Sequence, residues 1–178
     1  MAQRTPASQL EWMQTVIARY ESPLIRYAAK LTGNSDRARD VVQDTFLRLC
    51  GEERDKVEGH VAEWLFTVCR NRAVDVQRKE SRMSSLSQSQ AAAHESRDNI
   101  PSAGLEQREA INQVLRVLDT IPESQQEVIR LKFQNGFSYR QISNVTGLSI
   151  SNVGFLIHTG LKTIRQRMNA EPNAPKRI

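Results

Sequence analysis

An all-α fold, in the form of two small helical domains joined by a flexible linker, follows from three features of the sequence. Apolar residues recur at helical spacing along most of the chain, and no segment alternates with the period of two that a half-buried strand needs. That rhythm stops once, in the Ser-, Gln- and Ala-rich stretch between Met83 and Gly104, where Pro101 and Gly104 add turn chemistry. Aromatic residues make up 6% of the chain against 39% hydrophobic and 25% charged, which suits helices better than a β-sandwich rich in Val, Tyr and Phe. The expected domains span 8–82 and 105–170, the linker 83–104, and 171–178 is expected to be a loose tail.

Upstream of the linker the spacing predicts helices over 8–20, 23–31, 35–49 and 60–81. Ser22 before Pro23 reads as a cap followed by a first-turn proline, Gly33 closes that helix, and Asn34 or Ser35 opens the next. Downstream, helices are expected over 105–119, 122–134, 138–145 and 149–168, with breaks at Gly136 and Gly147. No internal repeat is evident.

Bulk properties narrow the function. A formal net charge of +5 permits a polyanionic partner, since clustered Lys and Arg gain affinity by releasing phosphate counterions, but the location of the charge must decide. Cys50 and Cys69 are too few for a disulfide framework, and their spacing to His60, His94 and His158 matches no zinc pattern, so both are expected as reduced thiols in helices, with no metal or cofactor. No apolar run approaches the roughly 18–20 residues of a membrane span, and residues 1–14 lack a basic-then-apolar signal peptide, so no membrane insertion and a cytoplasmic location are expected. A Gly-rich phosphate loop, a paired metal motif and a Ser/His/Asp or Cys/His set are all missing, which argues against an enzyme.

In the segment RARDVVQDTFLRLC, a turn of about 100° per residue puts Val41, Val42, Thr45, Phe46 and Leu49 on one side, the expected core. The other side carries Asp40, Gln43, Asp44 and Leu47, a polar stripe with one large apolar residue. It is either a solvated face with an incidental leucine or a surface that a partner helix covers. In HVAEWLFTVCRNRAVDVQRKESR, Val61, Trp64, Leu65, Val68, Cys69 and Val76 share one face, and Thr67, Arg70, Asn71, Val74, Gln77 and Arg78 the other. Arginine and amide groups on one face can grip phosphates and read unpaired base edges. Trp64 can stack on a base or anchor the core, and an aromatic on the apolar stripe is more often packing. Arg72 falls on the inward side, where it must snorkel or pair with Asp75 or another carboxylate.

The stretch FSYRQISNVTGLSISNVGFLIHTGLKTIRQRM reads as a helix-turn-helix with Gly147 at the turn and Ile142, Leu148 and Val153 in the corner. Ser149 or Ser151 can cap the second helix, whose inward face is Val153, Ile157, Gly160, Leu161, Ile164 and Met168. Ser151, Asn152, Phe155, Thr159 and Lys162 point outward. In a major groove Asn152 can read an adenine edge and Phe155 a thymine methyl, with Lys162, Arg165 and Arg167 serving phosphates. Phe155 at the centre of a polar face has no packing reason to be there, unless the linker or another subunit covers it.

Three of these segments resemble one family. RYAAKLTGNSDRARDVVQDTFLRL looks like region 2 of the extracytoplasmic-function group of bacterial sigma-70 factors, and the Trp64, Leu65, Arg70, Asn71, Asp75 pattern is similar to the helix that follows there. LDTIPESQQEVIRLKFQNGFSYRQISNVTGLSISNV resembles region 4 of the same family. The resemblance implies a sigma region 2 helical bundle and a sigma region 4 helix-turn-helix. It implies core RNA polymerase as partner through its clamp and flap, with Asp40, Gln43, Asp44, Phe46 and Leu47 as the core polymerase-binding positions. It further implies promoter DNA, single-stranded at the −10 element against Trp64, Arg70, Asn71, Asp75 and Arg78. Duplex DNA at the −35 element would meet Tyr139, Arg140, Ser149, Ser151, Asn152, Phe155, His158, Thr159 and Lys162. An anti-sigma partner that masks both modules belongs to the same implication. Two departures stand out: the loop GEERDKVEGH is short and acidic, and Gly154, Leu156 and Thr159 stand where many relatives carry Lys or Arg. A stand-alone helix-turn-helix regulator with an N-terminal dimerisation or sensing domain is the alternative, and it requires a palindromic site with half-sites about one helical turn apart.

Overall fold

A computed structural model describes residues 6–84 and 105–170. The chain divides into two compact units, Met1–Ser96 and Arg97–Ile178. All regular structure among the described residues is helical. In the first unit α1 spans Pro6–Thr32, α2 Ser35–Cys50, α3 Arg54–Val57 and α4 Val61–Ser84, with a 3₁₀ turn at Glu58–His60. In the second, α5 spans Leu105–Leu118, α6 Glu123–Phe133, α7 Tyr139–Thr146 and α8 Ile150–Ala170. Of the linker expected at 83–104, Met83 and Ser84 belong to the end of α4, and the rest lies with the 171–178 tail outside the described residues.

The expected break at Ser22–Pro23 does not occur, and α1 is one helix of 27 residues with Pro23 inside it. Proline there removes one intrahelical hydrogen bond and crowds the carbonyl four residues back, a cost of about 3 kcal/mol. What offsets it is burial: Met13, Val16, Leu24, Tyr27 and Ala28 form an apolar stripe that crosses Pro23 without losing phase. Nor does Ser22 cap a helix; its Oγ accepts from Arg26 Nη1 at 2.7 Å. The next boundary follows the sequence closely. Gly33 takes φ 66°, and Asn34 Oδ1 accepts from the backbone N–H groups of Asp36 and Arg37 at 2.9 and 3.0 Å.

In this unit α1, α2 and α4 pack against one another. The shared core includes Leu24, Val41, Thr45, Leu49, Leu65, Phe66 and Cys69. Thr45 is tolerated there because its hydroxyl donates to the Val41 carbonyl at 2.8 Å. The short helix α3 and the 3₁₀ turn, which periodicity did not predict, are tied in by Arg54: its guanidinium lies 5.3 Å from the centroid of the Trp12 ring and pairs with Glu58.

The second unit is built around α8, which packs against α5, α6 and α7. A capping box opens α7: Ser138 Oγ accepts from Gln141 N–H at 3.3 Å, and Gln141 Oε1 accepts from Ser138 N–H at 2.9 Å. Gly147 ends that helix in the left-handed region, φ 75°, and turns the chain into α8. Buried Arg130 donates to Asp119 Oδ1 at 2.6 Å, holding the loop between α5 and α6. Gly160 is where α8 meets α6: a Cβ there would lie 2.6 Å from Ile129 Cδ1 and 3.3 Å from both Gln125 Cβ and Ile121 Cδ1. Gly160→Ala therefore overpacks this contact and should cost about 1–3 kcal/mol in a denaturant titration. An unchanged midpoint and slope would show that Ile129 and Ile121 make room for the methyl group by changing rotamer.

Candidate protein and nucleic-acid interfaces

Packing divides α2 into two faces. Ala38, Val41, Val42, Thr45 and Leu49 are buried, while Asp40, Gln43 and Leu47 are exposed. Leu47 is 69% exposed, the largest exposure among the exposed large apolar residues of the described chain. Phe46, which the wheel put on the core side, is only half-buried. Asp44 is half-buried too and is engaged within the chain: Arg72 Nε donates to its Oδ2 at 2.8 Å. The carboxylate required by the inward-leaning Arg72 is thus Asp44 rather than Asp75.

On α4 the buried face is Leu65, Phe66, Cys69 and Ala73. Trp64, Val61, Val68 and Val76 sit at its margin, half-buried. Phe66 was the missed anchor; at 1% exposure it packs against Tyr27, ring centroids 5.1 Å apart and planes inclined by 49°. Asn71, Asp75, Gln77 and Arg78 are exposed, and Arg70 is half-buried. The side that carries Asn71, Asp75, Gln77 and Arg78 therefore faces solvent, and Trp64 lies between the two faces. A second ion pair joins α4 to α2, between Glu80 and Arg37.

Cys69 is buried in this seam, and burial pushes its thiol up to about 12, against the opposing effect of the Thr45 hydrogen bond. The folded thiol keeps its proton well above 9.0, where an exposed one loses it, so the associated stability is complete below pH 9.0 and is lost as pH rises toward 12. Cys50 is exposed and free. At about pH 8 a thiol-reactive disulfide should label Cys50 in the native protein and Cys69 only after denaturant is added. Native labelling of both would contradict the buried position.

In the helix-turn-helix, Ile142 and Val153 are fully buried and Leu148 half-buried, closing the corner around Gly147. Of the two candidate caps it is Ser149 that acts, its Oγ accepting from Asn152 N–H at 3.2 Å. Ser151, Asn152, Phe155, His158 and Lys162 are exposed along α8, and Thr159 is half-buried. Phe155, at 65% exposure, is left mostly open to solvent by the described residues. Arg140 is exposed at the start of α7, beside Tyr139. The Tyr139 ring lies across α8, 3.6 Å from where a Cβ at Gly154 would be, and Lys132 Nζ is 5.5 Å from its centroid. A Cβ at 154 would thus be in ordinary van der Waals contact with that ring. Arg167, expected to serve a phosphate, instead turns back to donate to the Thr120 carbonyl at 3.0 Å and to its hydroxyl.

Among the described residues, no three His, Cys, Asp or Glu side chains converge to hold a metal. Also among them, no helix is long and apolar enough to cross a membrane.

Comparison with known proteins matches residues 16–83 to the family model Sigma-70 region 2 and residues 111–164 to Sigma-70, region 4. The chain is similar to the ECF RNA polymerase sigma factor EcfG of Rhodopseudomonas palustris, with 30% identity over 129 residues covering 71% of this chain and 68% of that protein. It is similar to SigL of Mycobacterium tuberculosis, 28% identical over 166 residues, 89% and 90% of the two chains. With SigX of Bacillus subtilis it shares 26% identity over 164 residues, 89% and 84%. In fold it is like the sigma factor RpoE solved in complex with the anti-sigma factor NepR from Bartonella quintana. That match has a TM-score of 0.68 and 21% identity, and covers 94% of this chain and 99% of that one.

Proposed function

Since the chain belongs to the extracytoplasmic-function group of sigma-70 factors and so directs promoter-specific initiation by core RNA polymerase, we propose that its surfaces divide that work as follows. The outward stripe of α2, with Asp40, Gln43, Asp44, Leu47 and the edge of Phe46, docks on core polymerase. The exposed face of α4, with Arg70, Asn71, Asp75 and Arg78 and with Trp64 at its margin, receives the unpaired −10 strand. Arginines neutralise its phosphates, and the Asn71 amide offers both a donor and an acceptor to a base edge. The α7–α8 unit enters the major groove of the −35 duplex, where Asn152 and Phe155 reach base edges. Tyr139, Arg140, Ser149, Ser151, His158, Thr159 and Lys162 flank them on backbone and groove walls.

The observation that carries this reading is Leu47, a large apolar side chain left in solvent on a helix whose opposite face is fully packed. A hydrophobic centre ringed by Asp40 and Gln43 has the composition of a protein-docking patch. The proposed domains are 8–82 for core and −10 contacts and 105–170 for −35 contacts, joined through 83–104. Covalent connection lets two weak contacts act together, because the first raises the effective concentration of the second. Phosphodiester chemistry stays with the polymerase, so the chain itself is non-catalytic, and its place of action is the cytoplasm, where polymerase and promoter meet. An anti-sigma partner would act by masking both modules.

Leu47→Arg should weaken core binding by about tenfold or more and remove the transcript from an in vitro reaction with purified core enzyme, while the circular dichroism spectrum stays helical. Co-elution with core enzyme at wild-type levels would remove α2 from the interface. For Phe155, a base-pair change at its contact in the −35 element should cost the wild-type chain about 1–3 kcal/mol and Phe155→Ala much less. Equal sensitivity in both would take Phe155 off the reading face.

A further inference from the structure

Across the seam between α2 and α4, Arg37 pairs with Glu80 and Arg72 with Asp44. They lie about two turns apart along each helix, as antiparallel neighbours require. Only the second touches the outward stripe of α2. Asp40 has no ion-pair or hydrogen-bond partner among the described residues, whereas the Asp44 carboxylate is held through Oδ2 by Arg72 Nε at 2.8 Å. Both partners are partly exposed, 32% and 42%, so the pair does little for folding stability. Its consequence is geometric. One oxygen of Asp44 is fixed against the neighbouring helix, and Oδ1 is left as the acceptor for a further donor.

We infer that Arg72 is a positioning residue of the polymerase-docking face, holding the Asp44 carboxylate in the orientation that core polymerase engages. This rests on the assignment of the α2 stripe to docking. It assigns Arg72, although it stands on the helix that meets the −10 strand, to core binding. A carboxylate already balanced by a guanidinium is a directional hydrogen-bond acceptor more than a bare charge, so the ionic part of the contact falls to Asp40. The Arg37–Glu80 pair, which spans the same two helices away from the stripe, provides the control: it attaches α4 to α2 without touching a docking residue.

The test is a titration of the purified full-length chain and its variants with core RNA polymerase, read as dissociation constants, with thermal melts in parallel. Arg72→Gln and Asp44→Asn should each weaken core binding about three- to tenfold. The double variant should be no weaker than the worse single one, Arg72→Lys should recover most of the loss, and Arg37→Gln should bind as wild type. The inference is overturned if Arg72→Gln binds core as tightly as wild type or more tightly. Losses that multiply in the double variant, or Arg37→Gln weakened as much as Arg72→Gln, would overturn it too. Leu47→Arg separates the two levels: if it loses binding while Arg72→Gln does not, only the positioning role fails. If Leu47→Arg binds normally, the docking assignment fails and the inference with it.

Discussion

The burial of one face of α4 against α1 and α2 is the constraint on which the rest of the first unit depends. Leu65, Phe66, Cys69 and Ala73 are all but inaccessible to water, and a helix that commits those four positions has no freedom to rotate. Rotation by one residue in one direction would carry the Arg70 guanidinium toward the core and expose Leu65, which costs desolvation on one side and apolar burial on the other. The side chains left outside, Asn71, Asp75, Gln77 and Arg78, are therefore fixed in register by the core and not by any ligand. The same packing presents Leu47 and Asp40 on α2, because Val41, Thr45 and Leu49 face the seam. The exposed faces of α2 and α4 thus arise from one three-helix core.

The second unit reaches a comparable result by different means. Its centre is the contact between α6 and α8, close enough to need Gly160, with Arg130 paired to Asp119 at the edge. Capping fixes the ends of the helix-turn-helix: a capping box starts α7, Gly147 in the left-handed region stops it, and Ser149 starts α8. Each of these devices acts within a few residues, which keeps the exposed row from Ser151 to Lys162 in place without a large core behind it.

Much of this was legible in the sequence, for physical reasons that can be traced residue by residue. The all-α class, the helix starting at Ser35, the turn at Gly147 and the exposed Phe155 all follow from local signals: hydrophobic period, caps, and an apolar residue out of phase. What periodicity could not supply were terms set by tertiary contact. Pro23 carries a strong local signal for a helix start, yet the stripe from Met13 to Ala28 outweighs it. Phe66 is a different case: it stands at i, i+3 and i+7 with Cys69 and Ala73, so the period itself put it on the buried face, and the expected apolar face was set too far toward Val61 and Val68. The choice of Asp44 by Arg72 depends on how α2 and α4 meet, though the inward position of Arg72 already required some carboxylate there. Arg167, expected on a phosphate, is spent on the Thr120 loop, a contact that helical spacing does not reveal.

The division of α4 into a packed face and a DNA face is the claim on which the functional account turns, and chemical footprinting of an active promoter with holoenzyme addresses it most directly. With the wild-type chain, permanganate should react with thymines of the −10 region only when both the chain and core polymerase are present. With Asn71→Ala and Arg78→Ala combined, that reactivity should vanish while protection of the −35 duplex persists. Undiminished −10 reactivity in the doubly substituted chain would contradict the account.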